Sequence, residues 1–564
     1  LIITAWRKNN TLRANTSNME FMAPVDFKED DSFTNDDVYN KRSLVDGHNW
    51  MELSEGIAIT PTRLSISNAV RKPLKEVDND HIHWNSMPNI LRMPCSIDDE
   101  FDDYGIVTTV DLSMIRNAAA NALDALIHKK KNAASTVTKE NCLRYLECKA
   151  QNYAWGKIGS DALVARLKKD GCDNFTIDEE KPYAELWLGT HPNGMSTIIV
   201  PSKESDQVNS KIPLVDYVQT NPYLHLGVEG VTSPSQDYDL TFLFKVLSIK
   251  KVLSIQAHPD KLLAAQLHTD HPEIYKDPNH KPEMAVALTD DFEAMSGFRP
   301  IHEIAQHLRE YPELSIVVGT TARNQISEAA KAHLHHQPKA VLQRIFVAYM
   351  DADHSLMQCQ LENLNKRLLE KKESENFTDL DELIIKLANQ FPGDSGIFAP
   401  LLFNHMKLKT GEAFYIGANE PHAYIQGDIL ECMACSDNVV RAGLTPKVKD
   451  VETLVKMLTY KCTIPEITRG QQVNDHCRLY IPPVRDFAIE MIEVPSGGSY
   501  EVKHVRSPSL LLVLNGSGTF LQGNVQSLTV NAGKTLFMSA NTNAIVTANN
   551  ESNLKVVRAL TNVF

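Results

Sequence analysis

The run from Lys245 to Pro259 restricts this chain more than any other stretch: it is apolar for most of its length and closes on a polar face. In an extended strand, successive side chains point to opposite faces. Val252, Ser254, Gln256 and His258 then share one face, Leu253, Ile255 and Ala257 share the other, and Pro259 ends the strand. We therefore expect one key strand over residues 241–258. A Ser-Gln-His face on an otherwise buried strand is unfavourable unless those groups bind something. Gln256 and His258 are both able to hold a metal.

The rest of the chain fits a large soluble protein. Its 564 residues, 43% hydrophobic and 23% charged, are enough for about three to four domains. A formal charge of -14 argues against general nucleic-acid binding, which needs a basic footprint. The same charge requires a local cluster of cations for any anionic substrate. No apolar run reaches the ~18 residues of a membrane span. The apolar residues 1–6 are too short for a secretory signal and are followed by Arg7 and Lys8. Nine scattered cysteines suit a reducing compartment better than a disulfide framework, so a cytoplasmic protein is expected.

Residues 1–138 are rich in Asn, Asp, Ser and Lys, with few periodic apolar runs, and are expected to form a largely disordered extension. Its His81 and His83 read as a surface loop, and an Ala/Asn-rich stretch over 114–131 reads as a helix. Order is expected from Cys142 onward, in short glycine-punctuated strands that suggest a sandwich or barrel. From about 300 to 399 the apolar period becomes helical: Leu361, Leu364 and Leu368 share a face, and Thr378 with Asp381 forms a capping signal. His333, His335 and His336 in this part read as a solvated helix end. β character returns after Met406, a helix with Asp450 as N-cap is expected at 451–458, and the tail is strand-rich, with Asn515-Gly516 as a hairpin turn.

Three further motifs follow the logic of the opening strand. In Asn279-His-Lys-Pro-Glu283, Pro282 biases Lys281 away from helix, so Lys281 and Glu283 can face the same way. In Glu420-Pro-His-Ala-Tyr424, His422 and Tyr424 share a face. In Asp437-Asn-Val-Val-Arg441, a cation follows a strand. Singly, each is weak: a lone strand histidine is more often a hydrogen-bonded core residue, and Cys432-Met-Ala-Cys435 without a second such pair reads as structural strand.

Together, these motifs are similar to the signatures of type I phosphomannose isomerases. The resemblance rests on Phe244-Lys-Val-Leu-Ser, Ser254-Ile-Gln-Ala-His-Pro, Asn279-His-Lys-Pro-Glu, Glu420-Pro-His-Ala-Tyr424, the run from Glu431 to Pro446, and Gln151-Asn-Tyr-Ala-Trp-Gly-Lys157. It covers about residues 140–564, and Asp260 departs from the Asn found in many members. The resemblance implies a mainly β fold with two cupin-like (jelly-roll) β domains and an α-helical domain. The expected division is a catalytic domain in two parts, 139–299 and 401–469, a helical insertion at 300–400 and a structural β domain at 470–564. It implies one zinc ion held by Gln256, His258, Glu283 and His422, with Arg441 catalytic. Lys281, Glu431 and Tyr424 match other catalytic positions, and Ser254, Lys245 and Asp437 match substrate-binding ones.

The implied reaction interconverts mannose 6-phosphate and fructose 6-phosphate in a monomer that binds no nucleic acid or membrane. Two alternatives are another metal-dependent cupin enzyme, such as an iron oxygenase with a two-His, one-carboxylate triad, and a sugar-binding cupin without turnover.

Overall fold

The computed structural model describes residues 51–53, 57–59, 142–200, 210–228, 239–331, 338–523 and 526–564. The chain divides into two compact units, 1–126 and 127–564. In the first, Met51–Leu53 and Ile57–Ile59 pair antiparallel. The remainder of the expected extension, with His81, His83 and the helix at 114–131, lies outside the described residues, as do His333, His335 and His336.

The second unit contains a ten-stranded sheet system. Its strands are β1 (Lys149–Gln151), β2 (Glu185–Leu188), β3 (Phe242–Ile249), β4 (Ile255–Ala257), β5 (Glu283–Ala287), β6 (Phe292–Phe298), β7 (Phe403–Leu408), β8 (Ala413–Ile416), β9 (His422–Ala434) and β10 (Val440–Gly443). The long strand β9 joins two layers. Its C-terminal part, from Gly427, lies between β3 and β5. Its N-terminal part lies between β6 and β4. The bend falls at Gly427, whose φ is 107°. A Cβ there would sit 2.7 Å from the Phe292 Cα, so only glycine lets the strand pass from one layer to the other. Between the layers, Leu247, Ala285 and Ile429 from one side meet Phe292, Met406 and Leu408 from the other.

The single strand expected over 241–258 is two strands, β3 and β4. The chain turns after Ile249, where the amides of Lys250 and Lys251 both donate to the Trp155 carbonyl at 3.0 Å. The Val252 amide donates to Gln390 Oε1 at 3.0 Å, a partner from the end of the helical region. Val252 consequently packs in one core with Ile255 and Ala257, not on the face of Ser254 and Gln256. Every residue of β3 is buried because it has two covered faces. Leu247 and Ile249 turn into the sandwich. Phe242, Phe244 and Val246 turn outward into a second core with Ile489, Leu510, Phe537 and Val557.

That second core is roofed by a nine-stranded sheet, which faces a four-stranded one across a third, apolar core. The nine-stranded sheet takes in Leu143–Glu147, Thr197–Val200 and Ser210–Pro213 alongside C-terminal strands such as Thr535–Met538. The stretch 139–299 therefore serves both β regions. Leu143–Glu147 belongs with the C-terminal strands because Leu143 enters the third core and Leu146 the second. Asn515-Gly516 is not a hairpin turn. Ser509–Asn515 lies in the nine-stranded sheet and Ser517–Gln522 in the four-stranded one, so Gly516 (φ 82°) is a corner between sheets.

Between β6 and β7 run the helices Ile301–Glu310, Pro312–Lys331 (broken by a kink at Gly319, φ 79°), Pro338–Met350, His354–Lys371 and Asp379–Gln390. Thr378 and Asp381 form the expected reciprocal cap. The helix Val451–Met457 starts from Asp450, whose side chain accepts the Thr453 amide. No helix among the described residues is long and apolar enough to cross a membrane.

Candidate metal centre and active site

The ends of β4, β5, β9 and β10 meet at one mouth of the first sandwich. Antiparallel register places Gln256 opposite His422 on one side and opposite Arg441 on the other. His258 follows β4 directly, and Glu283 opens β5 after Pro282. The ligand-capable atoms of His258, Glu283 and His422 all lie within 4.8 Å of one another. These three side chains are fully enclosed, at 0%, 1% and 1% exposure.

The two imidazoles are aimed by their outer nitrogens. His258 Nδ1 donates to the Asn438 carbonyl at 2.7 Å, and His422 Nδ1 donates to the Glu420 carbonyl at 3.1 Å. That arrangement leaves both Nε2 lone pairs facing inward. His258 Nε2 is 3.1 Å from Glu283 Oε1 and His422 Nε2 is 3.6 Å from Glu283 Oε2. Neither contact has hydrogen-bond geometry, so both Nε2 atoms are buried without a partner. Buried, unpaired imidazole nitrogens around a carboxylate are a poor arrangement for a protein core and a good one for a cation. Burial pushes His258 down, and His422 down to about 4. Burial opposes ionisation of Glu283, but the His258 ring and the Lys281 ammonium outweigh it and hold the carboxyl well below its usual range. Tyr424 donates its hydroxyl to Glu283 Oε2 at 3.2 Å, and Lys281 Nζ lies 3.6 Å from Glu283 Oε1.

A second buried group sits one strand over. Lys245 on β3 is the cross-strand partner of Glu431 on β9 and of Trp187 on β2. Its ammonium donates to Glu431 Oε2 at 2.8 Å, lies 3.6 Å from Glu185 Oε2 and stands 5.0 Å from the Trp187 ring centroid. The Trp187 indole N–H donates to Glu185. Burial works against the charge on Lys245, but Glu185 and Glu431 raise its pKa and keep it protonated. Burial pushes Glu431 up, against the pull of Lys245.

Asp437 stands half-exposed beyond this group. Its Oδ1 accepts from His191 Nε2 at 3.1 Å, and that bond lowers its pKa. The guanidinium of Arg441 is half-buried, and burial lowers its pKa. Among the described residues, the side chains of Arg441, Gln256 and Ser254 have no hydrogen-bond or ion-pair partner. Cys432 turns away from the site into the second core.

All eleven residues singled out in the sequence lie on these strand ends and loops or on the adjoining part of β3 and β9, though Lys245 lies within β3 and Ser254 in the segment just before β4. Four contributors were not singled out: Glu185, Trp187, His191 and Asn438. Their signals are faint. Glu185 and Trp187 alternate on what reads as a plain strand, and His191-Pro192 reads as turn chemistry.

A two-layer β fold with a buried two-His, one-carboxylate centre, bordered by unpaired cationic and polar groups, defines a cupin-type enzyme. Comparison with known proteins narrows the class. Family models of type I phosphomannose isomerase match residues 143–301 (catalytic domain) and 317–403 (helical insertion domain). Mannose-6-phosphate isomerase 1 of Arabidopsis thaliana is 42% identical over 417 residues, covering 74% of this chain and 93% of the relative. The Saccharomyces cerevisiae mannose-6-phosphate isomerase is 42% identical over 414 residues, covering 71% and 94%. The mannose 6-phosphate isomerase of Salmonella typhimurium, solved with fructose 6-phosphate and zinc, superposes with a TM-score of 0.60 at 28% identity. It covers 75% of this chain and all of its own. The chain belongs to the type I phosphomannose isomerase family, whose members are aldose–ketose isomerases.

Proposed function

We propose that this chain is a zinc-dependent isomerase that interconverts D-mannose 6-phosphate and D-fructose 6-phosphate through an enediol(ate). It would thereby supply mannose 6-phosphate for GDP-mannose synthesis and glycosylation. The observation that carries this reading is the enclosed His258–Glu283–His422 centre, with an unpaired, half-buried Arg441 directly opposite Gln256 on the neighbouring strand. A guanidinium left without a partner in a chain of net charge -14 is suited to an incoming anion.

Gln256, His258, Glu283 and His422 would hold the zinc. Three neutral donors and one carboxylate leave the ion a formal charge of about +1, which supplies Lewis-acid stabilisation of developing oxyanion charge. Arg441 contributes fixed positive charge to the enediolate or the phosphate and does not act as a base. Ser254 donates to the phosphate, and Asp437, held by His191, accepts from a sugar hydroxyl. Tyr424 is committed to Glu283, and Lys245 to Glu431 and Glu185. Lys245 then acts as the counter-ion that orients Glu431, not as a substrate ligand. Glu431 and Lys281 remain as the groups that move the proton between the two substrate carbons.

The test is a coupled assay for fructose 6-phosphate with mannose 6-phosphate as substrate and unphosphorylated mannose as control. Turnover of the phosphate ester alone is expected. Oxygen uptake without ketose formation would establish the oxygenase alternative, and tight sugar-phosphate binding without turnover the binding-protein one.

A further inference from the structure

Two loops border the centre, residues 276–282 and 435–439. Neither contains helix or strand, so their polar groups must find partners outside a ladder. They find them in each other. Ser436 Oγ donates to the Asn279 carbonyl at 3.0 Å and accepts from the Asn438 amide at 3.1 Å. Asn279 Nδ2 donates to the Cys435 carbonyl at 3.1 Å, and the Asp437 amide donates to Asp277 Oδ2 at 2.8 Å. Asn438 is the centre of this clasp and is 1% exposed. Its Nδ2 donates to the carbonyls of Asp277 at 2.6 Å and Asn279 at 2.9 Å, with Asp277 Oδ1 at 3.3 Å. Three oxygens around one amide end require that end to be the nitrogen.

The main-chain carbonyl of the same Asn438 receives His258 Nδ1–H. One residue thus ties the two loops together with its side chain and orients a metal-facing imidazole with its backbone. The loops it joins carry Lys281 on one side and Asp437 on the other. We propose that Asn438 is a positioning residue: its side chain fastens the 435–439 loop to the 276–282 loop, so that its own carbonyl aims His258 Nε2 into the centre. The inference rests on the zinc reading above. Outer partners of metal-bound histidines contribute about 10–100-fold to affinity.

The experiment strips the full chain of metal and titrates it with zinc against a chromogenic chelator, then measures kcat and KM at saturating zinc. Asn438→Ala is expected to weaken zinc binding about 10–100-fold and to lower kcat more than it raises KM. Ser436→Ala, which removes one strut of the clasp, shifts both in the same direction by less. A purely structural role would lower thermal stability while leaving the zinc affinity of the folded variant at the parent value. If Asn438→Ala is recovered unfolded, Ser436→Ala decides: weakened zinc binding supports the inference, and parental affinity overturns it. Parental affinity and kcat in both variants overturn the inference alone. A parent chain that takes up no zinc overturns the zinc reading, and this inference with it.

Discussion

The two β regions differ in how many ionisable groups they enclose together. The C-terminal strands close on a core of Leu143, Leu511, Phe520, Val546 and Val556. At its edge, the one enclosed cation among the described residues there, Arg558, meets Ser509 at 2.9 Å, Glu490 at 3.1 Å and the Lys503 carbonyl at 3.0 Å, leaving only its Nη2 without a partner. The first sandwich has a similar apolar middle, but its mouth encloses Lys245, His258, Glu283, His422, Tyr424 and Glu431. Two of those groups, the Nε2 atoms of His258 and His422, are left without protein partners. Enclosing so many ionisable side chains is unfavourable without compensation. Related architecture in one chain shows what an ordinary solution looks like, and the departure from it marks where the chemistry is.

Breaking the polar mouth has the largest expected effect. Glu283→Ala removes the one anionic group between two imidazoles and Lys281. Zinc content of the folded variant should fall to background by mass spectrometry, with isomerisation lost, whereas undiminished zinc would refute the ligand assignment. Arg441→Lys comes next. It keeps the charge but loses the planar fork, so kcat should drop about 10²–10³-fold while zinc content stays at one equivalent. Near-parental turnover would remove Arg441 from the reaction.

Lys245→Met and Arg558→Met sharpen the comparison directly. The first leaves Glu431 and Glu185 facing each other, buried. Loss of one partner of an enclosed ion pair costs about 3–5 kcal/mol, so denaturant melts should show that loss together with lost turnover. The second strips Glu490 of its partner in the C-terminal region. Its melt should shift in the same direction, but its isomerase activity should stay near the parent's. Equal damage to activity from both substitutions would contradict the division of labour.

The smallest effect lies in the helical region. Burial opposes ionisation of Asp381, but Lys371 and the Thr378 cap hold its pKa below the usual value. A depressed carboxyl stabilises the fold above its unfolded pKa of about 3.9 and loses that contribution as pH falls through the folded value. Stability measured between pH 5 and pH 3 should therefore decline less steeply in Asp381→Asn than in the parent. Identical slopes would exclude this carboxyl as an acid-sensitive contact.

Local pattern made some of this architecture legible in advance. The Thr378–Asp381 cap and the Asp450 helix start are set by neighbours in sequence, and both form as expected. The motifs carrying His258, Glu283 and His422 converge because strand alternation and the flanking prolines aim those side chains inward. Long-range partners were not legible. Nothing near Lys250 announces that Trp155 and Gln390 will take the amides of residues 250–252 and split one apparent strand into two. Asn515-Gly516 has hairpin chemistry, but the strands on either side find better partners in different sheets. His191 and Asn438 matter through residues 246 and 180 positions away, a kind of signal that spacing within a motif does not contain.

The central claim is that the polar mouth is a zinc site at which mannose 6-phosphate is isomerised. It is tested most directly by assaying fructose 6-phosphate formation in the full chain before chelation, after exhaustive chelation, and after zinc is restored. The structure predicts activity, its loss, and its return with about one zinc per chain. Full isomerase activity in metal-free protein would contradict it.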